Sequence, residues 1–363
     1  MPAQESLKET PSIIAPEGLY EVGHLFLDLV DENRKEPATD APLDKRQVPI
    51  QIWYPGLKGS ATQKATYRPR IESFRSLWGD ESVDYIKSVR TAYYEGSKVN
   101  QEKPFGVFIF SHGWGARSSS HSTFLSNLAS NGYVVIGINH PYMGKITLAN
   151  GTVTEPNDNQ FENQAAANKF YAEDVVFVMD QLELLNKEDS NSPFSGTLAL
   201  DQIIAGGHSS GFPAVSYTAV MDNRIKGLIS FDSGVPKIVR KKGLDIPILL
   251  FRAEKESYTD LFFRGKNVHP KGTIYDVDFF RVHRGDFYDL VFSNTTHSTI
   301  YDQYIFSESI EEKEISKQHH RLIIKWTVAY FHKVLENQNS ALFENKEDIQ
   351  NTTLRTIASF PLK

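Results

Sequence analysis

The chain has 363 residues, 40% hydrophobic and 12% aromatic, which is enough apolar material for a large buried core. Its formal net charge of -6 and the lack of any Lys- or Arg-rich run argue against nucleic-acid binding, so we expect no nucleic-acid partner. Because the sequence contains no cysteine, disulfides, thiol catalysis and cysteine-ligated metals are excluded.

The amino-terminal sequence is polar and lacks a basic region followed by an apolar stretch, so it predicts no signal peptide. No run of about 18 apolar residues occurs, and we therefore expect no transmembrane helix. A cytoplasmic location is favoured by these patterns. Peripheral contact with a lipid surface stays open, and the sequence makes no prediction of the oligomeric state.

Two alternating strands open the predicted fold. Residues 24–30 and 48–54 alternate around a polar turn, as antiparallel edge strands of a larger sheet do. The next stretch, 58–103, is polar with scattered aromatic residues and is too long for a simple connection. We interpret it as an inserted, cap-like segment that walls a substrate site, the alternative being that its aromatic residues only pack it against the core.

A strand, a glycine turn, a helix and a second strand come next. The apolar run 105–110 predicts the first strand, and a helix capped by Ser119 or Ser120 ends near Ser130. Residues 133–138 form the second strand. This order is typical of a parallel sheet.

The glycine turn has the sequence His112-Gly113-Trp114-Gly115. Such a turn at the carboxyl end of a strand can present a backbone amide to an oxyanion, and the amide of Trp114 is the candidate donor. We assign His112 a role in shaping the loop and no direct catalytic role.

The stretch 198–221 predicts a strand, a sharp turn and a helix. After a polar surface excursion over 144–169 and an amphipathic helix over 172–186, the apolar run 198–205 leads into Gly207-His208-Ser209-Ser210-Gly211. The pattern G-x-S-x-G is typical of a turn that lifts a serine hydroxyl above a parallel sheet, with glycines where neighbouring elements crowd. Ser209 is therefore the candidate nucleophile and the amide of Ser210 the second oxyanion donor, although small residues also recur together in ordinary loops.

A carboxylate follows the next predicted strand. Asp232 stands directly after the apolar run 225–231, at the edge of an open α/β sheet where sites are built. It could orient a catalytic histidine or simply cap a turn. Glu254 and Glu256, which follow the predicted strand 246–251, are rival positions for the acid.

The last third of the chain supplies the candidate base. His297 lies just beyond the predicted final strand, 287–292, which gives the chain order Ser, Asp, His of an α/β hydrolase. His269 and His283 compete with it but precede that strand. His319 and His320 are expected to open a helix over 320–335, before a tail over 338–363.

Together these motifs resemble the α/β hydrolases related to platelet-activating factor acetylhydrolase, the plasma type and its bacterial relatives. The matching pieces are YEVG at 20–23, WYP at 53–55, FIFSHGWG at 108–115, NLASNGYVV at 127–135, GHSSG at 207–211, FDSG at 231–234 and TTH at 295–297. The sequence departs from this family at Ser210, in the insertion and over 144–164.

The resemblance implies one α/β-hydrolase domain over 1–363, with its core about 19–337. Its central sheet would be mostly parallel, with helices on both faces and an inserted cap-like segment. In that family the acid follows the strand after the elbow helix, which favours Asp232 over its rivals as partner of Ser209 and His297. No metal or organic cofactor is implied.

The expected function is that of a serine carboxylesterase acting on short-acyl esters, with the sn-2 ester of a phospholipid implied by the resemblance alone. The substrate would thus be a small-molecule ester or a phospholipid. The alternatives are a polyester-degrading, cutinase-like enzyme, a general lipase-type esterase, an acyltransferase, and a non-catalytic binding protein with a hydrolase fold.

Overall fold

The computed structural model describes residues 10–41, 43–157, 159–188, 191–255, 277–344 and 352–357. The strands are β1 Glu21–Leu27, β2 Val30–Lys35, β3 Lys45–Gln47, β4 Ile50–Gly56, β5 Gln63–Lys64, β6 Tyr94–Glu95, β7 Phe105–Ser111, β8 Tyr133–Ile138, β9 Leu198–His208, β10 Ile225–Phe231, β11 Ile248–Ala253, β12 Phe287–Phe292 and β13 Thr352–Ile357. The helices are α1 Arg75–Ser88, α2 Ser122–Ser130, α3 Gln164–Asn186, α4 Gly211–Met221, α5 Lys237–Lys242, α6 Val277–Val282 and α7 Ile310–Leu335.

Within the described ranges, eleven strands form one sheet in the order β13-β12-β11-β10-β9-β7-β8-β4-β1-β6-β5. The six strands from β12 to β8 are parallel to one another. Strand β4 runs antiparallel to both β8 and β1, and β13 runs antiparallel to β12. The predicted mostly parallel central sheet is thus confirmed.

Helices cover both faces of this sheet. On β7, Phe108 and Phe110 belong to the apolar cluster that includes residues of α2 and α7, whereas Val107 and Ile109 belong to the cluster with residues of α3 and α4. A sheet buried on both faces has no polar side, which explains the continuous apolar runs of its central strands.

Strands β1 and β4 pair antiparallel as predicted, but they are not at the edge of the sheet. Strand β6, from the inserted segment, pairs with β1, and β5 lies beyond it. The stretch predicted to be a polar turn contains a second hairpin, β2–β3. Short polar strands such as these lack the alternation of apolar and polar residues from which a strand is predicted.

Two long helices begin earlier than predicted. Helix α3 starts at Gln164, where the side chain of Asn163 accepts hydrogen bonds from the amides of Ala165 and Ala166. The predicted surface excursion therefore ends several residues sooner than expected, because α3 begins with alanines and polar residues, and no large apolar side chain marks its start.

Helix α7 likewise starts at Ile310, capped by the side chain of Ser309. His319 and His320 are consequently buried in the middle of the helix, so their assignment as helix-opening residues was wrong. In contrast, α2 starts later than predicted, at Ser122, because the single turn Ser118–His121 is a 3-10 helix.

The segment at 58–103 and the described residues after 338 both contact the main body. In the first, Ile71, Phe74 and Val83 form a small apolar cluster of their own. In the second, Leu342 and Phe343 enter the large core beside α7, and β13 extends the sheet.

Candidate active site

Ser209 lies in a sharp turn between β9 and α4. Its backbone has a φ of 51°, in the left-handed region that residues with a side chain rarely adopt. The flanking glycines are needed for close packing, since a Cβ on Gly207 would lie 2.3 Å from the backbone of Gly211, and one on Gly211 would lie 2.1 Å from the carbonyl oxygen of Ser111. The turn holds a partly exposed serine at the carboxyl end of the central strand.

Strand register brings Asp232 to the same edge as Ser209. His208, the last residue of β9, pairs with Phe231, the last residue of β10, so the two candidate residues directly follow paired positions. The amide of Ser209 donates to the carbonyl oxygen of Phe231 at 3.2 Å. Asp232 also has a positive φ, of 53°.

The carboxylate of Asp232 contacts the imidazole of His297. Oδ2 lies 2.7 Å from Nδ1 of His297, and Oδ1 accepts the amide hydrogen of Ala253 at 3.3 Å. Because an ionised carboxylate only accepts, Nδ1 carries the hydrogen. In the neutral ring Nε2 is then the unprotonated atom, the one that can accept a proton.

His208 supports His297 from below. The centroid of its fully buried ring lies 4.5 Å from that of the His297 ring, and the two planes are tilted by 30°. Its Nε2 donates to the carbonyl oxygen of His297 at 3.0 Å. Burial is the main cause that lowers the pKa of His208 well below its ordinary value, so the ring stays neutral. This packing fixes the loop that carries His297.

The two rival residues that the structure describes, Glu254 and His283, contact other groups. Glu254 is exposed, and its carboxylate accepts the amide hydrogen of Asn294 at 2.7 Å. His283 precedes β12 and stacks on Phe279 at 4.8 Å. Glu256 and His269 lie outside the described residues.

The glycine turn packs directly against the serine turn. A Cβ on Gly113 would lie 3.0 Å from the Cβ of Ser209, and the amide of Gly115 anchors the turn by donating to the carbonyl oxygen of Met143 at 2.8 Å. In the part of the chain that the structure describes, neither the amide of Trp114 nor that of Ser210 donates to another protein atom. Both therefore stay candidates for the oxyanion donors that the sequence predicts.

His112 contacts the peptide unit that contains the Trp114 amide. Its Nδ1 donates to the carbonyl oxygen of Gly113 at 2.8 Å, and its Nε2 accepts the amide hydrogen of His140 at 3.0 Å. Burial, followed by the neighbouring His140, lowers the pKa of His112 well below its ordinary value. The neutral imidazole thus orients the turn from beneath, as the sequence predicted for a loop-shaping residue.

The sequence analysis missed a buried ionic cluster beside this turn. Asp174 accepts from Nη2 of Arg46 at 2.7 Å and from Nδ1 of His140 at 2.8 Å, and Glu36 accepts from Nη1 of Arg46 at 2.8 Å. Burial opposes the charge of Arg46, but the two carboxylates outweigh it and raise its pKa. The partners lie far apart in sequence, so no local pattern could have revealed them.

A cavity of about 1250 Å³ opens beside the glycine turn. Trp114 and Gly115 line it together with Trp78 of the inserted segment and Tyr301. The ring of Tyr301 packs 4.9 Å from that of His208, which connects the cavity to the surroundings of His297. The insertion and the glycine turn therefore share one cavity.

Within the described ranges, no three His, Asp or Glu side chains gather as metal ligands would. None of the helices in those ranges combines the length and apolar character that a bilayer crossing requires.

Part of the sequence is similar to known esterases. Residues 68–181 match the family model described as platelet-activating factor acetylhydrolase, isoform II. A probable 1-alkyl-2-acetylglycerophosphocholine esterase of Arthroderma benhamiae is 30% identical over 133 residues, which is 36% of this chain and 31% of that protein. These two matches support a platelet-activating factor acetylhydrolase-type family. The family match includes the glycine turn and ends before Ser209, and the chain spans about a third of the curated relative.

A likeness to a solved esterase structure extends over nearly the whole chain. The ferulic acid esterase from Streptomyces cinnamoneus superposes with a TM-score of 0.75 and 20% sequence identity, covering 95% of this chain and 99% of that chain. With the mostly parallel sheet, this likeness confirms the predicted α/β-hydrolase fold. Platelet-activating factor acetylhydrolase-type motifs are therefore present on the fold that the sequence predicted.

Proposed function

We propose that the chain is a serine carboxylesterase that hydrolyses short-acyl esters with Ser209, His297 and Asp232 as its catalytic residues. The observation that carries this proposal is the 2.7 Å contact between Nδ1 of His297 and Oδ2 of Asp232, at the sheet edge where the strained serine turn also lies. The contact leaves Nε2 of the imidazole as the basic atom.

In the proposed reaction, Ser209 Oγ attacks the ester carbonyl while His297 Nε2 takes the hydroxyl proton. The amides of Trp114 and Ser210 donate to the oxyanion of the tetrahedral intermediate. His297 then protonates the departing alcohol, leaving an acyl-enzyme. Water, deprotonated by the same imidazole, attacks the acyl group and releases the acid and the free serine.

The substrate we propose is a short-acyl ester, including the sn-2 ester of a phospholipid. Support comes from the family match and from the name of the curated relative, a probable 1-alkyl-2-acetylglycerophosphocholine esterase. The cavity beside Trp114 is large enough to receive more of the substrate than an acetyl group.

A panel of p-nitrophenyl esters and sn-2 acylated phospholipids of increasing acyl length tests this function. For the native chain we expect hydrolysis that falls steeply beyond short acyl groups, and for Ser209→Ala loss of all activity above background. A Ser216→Ala variant, in which a buried serine further along α4 is changed, serves as the control and should stay active. Full activity of Ser209→Ala, or no hydrolysis of any ester by the native chain, would refute the proposal.

A further inference from the structure

Two arginines that line the cavity form no ion pair within the described part of the chain. Arg68 belongs to the inserted segment, and Arg117 follows the glycine turn. Arg117 is only 8% exposed, and the Nε atoms of both arginines are buried without a hydrogen-bond partner. Among the described residues, neither guanidinium has an ion pair with a carboxylate.

Aromatic rings hold both guanidinium groups in place. The central carbon of Arg117 lies 5.0 Å from the ring centroid of Phe74 and 5.2 Å from that of Trp78. The corresponding carbon of Arg68 lies 5.1 Å from Trp78. Such cation–π contacts orient a guanidinium and supply no negative charge. The two cations are thus fixed around one indole ring.

Two acidic residues act electrostatically on these arginines, but each contacts a different partner. Glu155 acts on Arg117 but pairs with Lys145 at 2.8 Å. Asp302 acts on Arg68, but its Oδ1 and Oδ2 share the single amide hydrogen of Thr123, at 3.2 and 3.3 Å. Each carboxylate partly offsets the charge of the arginine on which it acts, but neither forms an ion pair with that arginine.

Arg46 has the carboxylate partners that Arg68 and Arg117 do not have among the described residues. Arg46 is fully buried, and its two carboxylate partners raise its pKa. At Arg117, burial and the repulsion of Arg68 lower the pKa, and burial does the same at Arg68. An arginine keeps its proton in proteins. The cavity, which Glu81 and Glu308 also line, therefore holds two guanidinium cations that form no ion pair with a carboxylate of the described residues.

We propose that Arg68 and Arg117 form an anion subsite that binds an acidic group of the ester substrate, a carboxylate or a phosphate. The planar guanidinium fork matches both groups in bidentate geometry. Because the same cavity includes Trp114, an ester whose acidic group occupies the subsite extends towards the oxyanion donors. This inference rests on the esterase function proposed above.

Matched esters that differ by one charge test the subsite. One pair is 4-acetoxybenzoate and its methyl ester, with the charge on the leaving group. The other is p-nitrophenyl succinate and its methyl ester, with the charge on the acyl group. We expect kcat/KM to favour the anionic member of at least one pair by about tenfold or more, as a charge-assisted hydrogen bond gives. 4-Acetoxyphenyl phosphate, compared with the benzoate, distinguishes a phosphate from a carboxylate preference.

Variants assign the preference to these residues. Arg117→Met and Arg68→Met should each reduce the anionic-to-neutral ratio by about 10- to 100-fold, and Arg117→Lys, which keeps the charge without the fork, should give an intermediate ratio. Arg75→Met is the control, since Arg75 lies in the same insertion but pairs with Glu72 and Asp80, both at 2.7 Å. An unchanged ratio in the Arg117 and Arg68 variants would overturn the proposal.

A binding measurement separates the subsite from catalysis. Benzoate and phenyl phosphate are titrated calorimetrically into Ser209→Ala and into the same chain with Arg117→Met added. We expect at least one anion to bind the former and to bind the latter at least about tenfold more weakly. Hydrolysis of neutral esters with no preference or binding for anions refutes the subsite and leaves the esterase standing. Arg117-dependent binding of an anion without hydrolysis of any ester would refute the esterase and support the subsite.

Discussion

At the scale of single residues, the candidate site combines backbone strain with hydrogen bonds that fix protons. Ser209 and Asp232 both have positive φ angles, which cost free energy unless surrounding contacts impose them. The amide of each donates to a carbonyl oxygen of the neighbouring strand, Phe231 for Ser209 and Phe251 for Asp232. The sheet thus holds the serine and the carboxylate in place before a substrate binds.

We expect Asp232→Asn to reduce kcat by about 10⁴-fold, because the amide would favour the wrong tautomer of His297. The measurement is kcat for p-nitrophenyl acetate at neutral pH. Glu254→Gln is the matched control and should be close to native, since Glu254 bonds the amide of Asn294. If the two effects were exchanged, the acid would be Glu254.

His112 provides a second prediction at this scale. His112→Phe keeps the ring volume but removes the hydrogen bond to the carbonyl oxygen of Gly113, so the peptide carrying the Trp114 amide loses its support. We expect kcat to fall by up to about tenfold, the equivalent of one hydrogen bond, with KM nearly unchanged. His112→Gln should recover part of the loss. A change confined to KM would contradict a positioning role in the oxyanion site.

At the scale of elements, strands were easier to predict than the starts of helices. The runs 133–138, 225–231 and 287–292 match β8, β10 and β12 because buried strands are apolar and these end at an acid or a polar loop. Helix α3 begins with alanines and polar residues and α7 with mostly charged residues, so the large apolar side chains of both helices mark only the later turns.

The start of α3 yields a stability prediction. Asn163→Ala removes the acceptor for the amides of Ala165 and Ala166, which lie 3.0 and 3.1 Å away. We expect the free energy of unfolding to fall by about 1 kcal/mol in urea titrations. Asn163→Asp keeps an acceptor and should remain within about 0.5 kcal/mol of the native chain. Equal losses in both variants would contradict the cap.

At the scale of the whole molecule, the sequence predicted the sheet and the chain order of the candidate site better than the contacts between distant segments. Parallel strands place Ser209 and Asp232 at one edge by register alone. The pairing of Arg46 with Asp174, the entry of Phe343 into the core and the stacking of Arg117 on Trp78 join segments far apart in the chain. Local periodicity contains no information about such pairs.

Buried neutral histidines also give the molecule a pH dependence. Burial between Trp53 and Tyr93 lowers the pKa of His24 to about 3, below its value of about 6.5 in an unfolded chain. Between these values the unfolded state binds one more proton, so stability is lost as pH falls, by about 1.4 kcal/mol per pH unit for this group.

We therefore expect His24→Gln to make the free energy of unfolding less dependent on pH between 6 and 4, by roughly one proton. The measurement is the urea midpoint and slope at each pH. His332→Gln, at a partly exposed position near the end of α7, is the control and should keep the native dependence. The same pH dependence in all three chains would show that His24 does not remain neutral when folded.

The most direct test of the central claim is peptide mapping after labelling with a fluorophosphonate, which reacts only with an activated serine. Our account predicts one labelled residue, Ser209, with labelling lost in Ser209→Ala and slowed by orders of magnitude in His297→Gln. Labelling of a different serine, or labelling of Ser209 at an unchanged rate without His297, would contradict it.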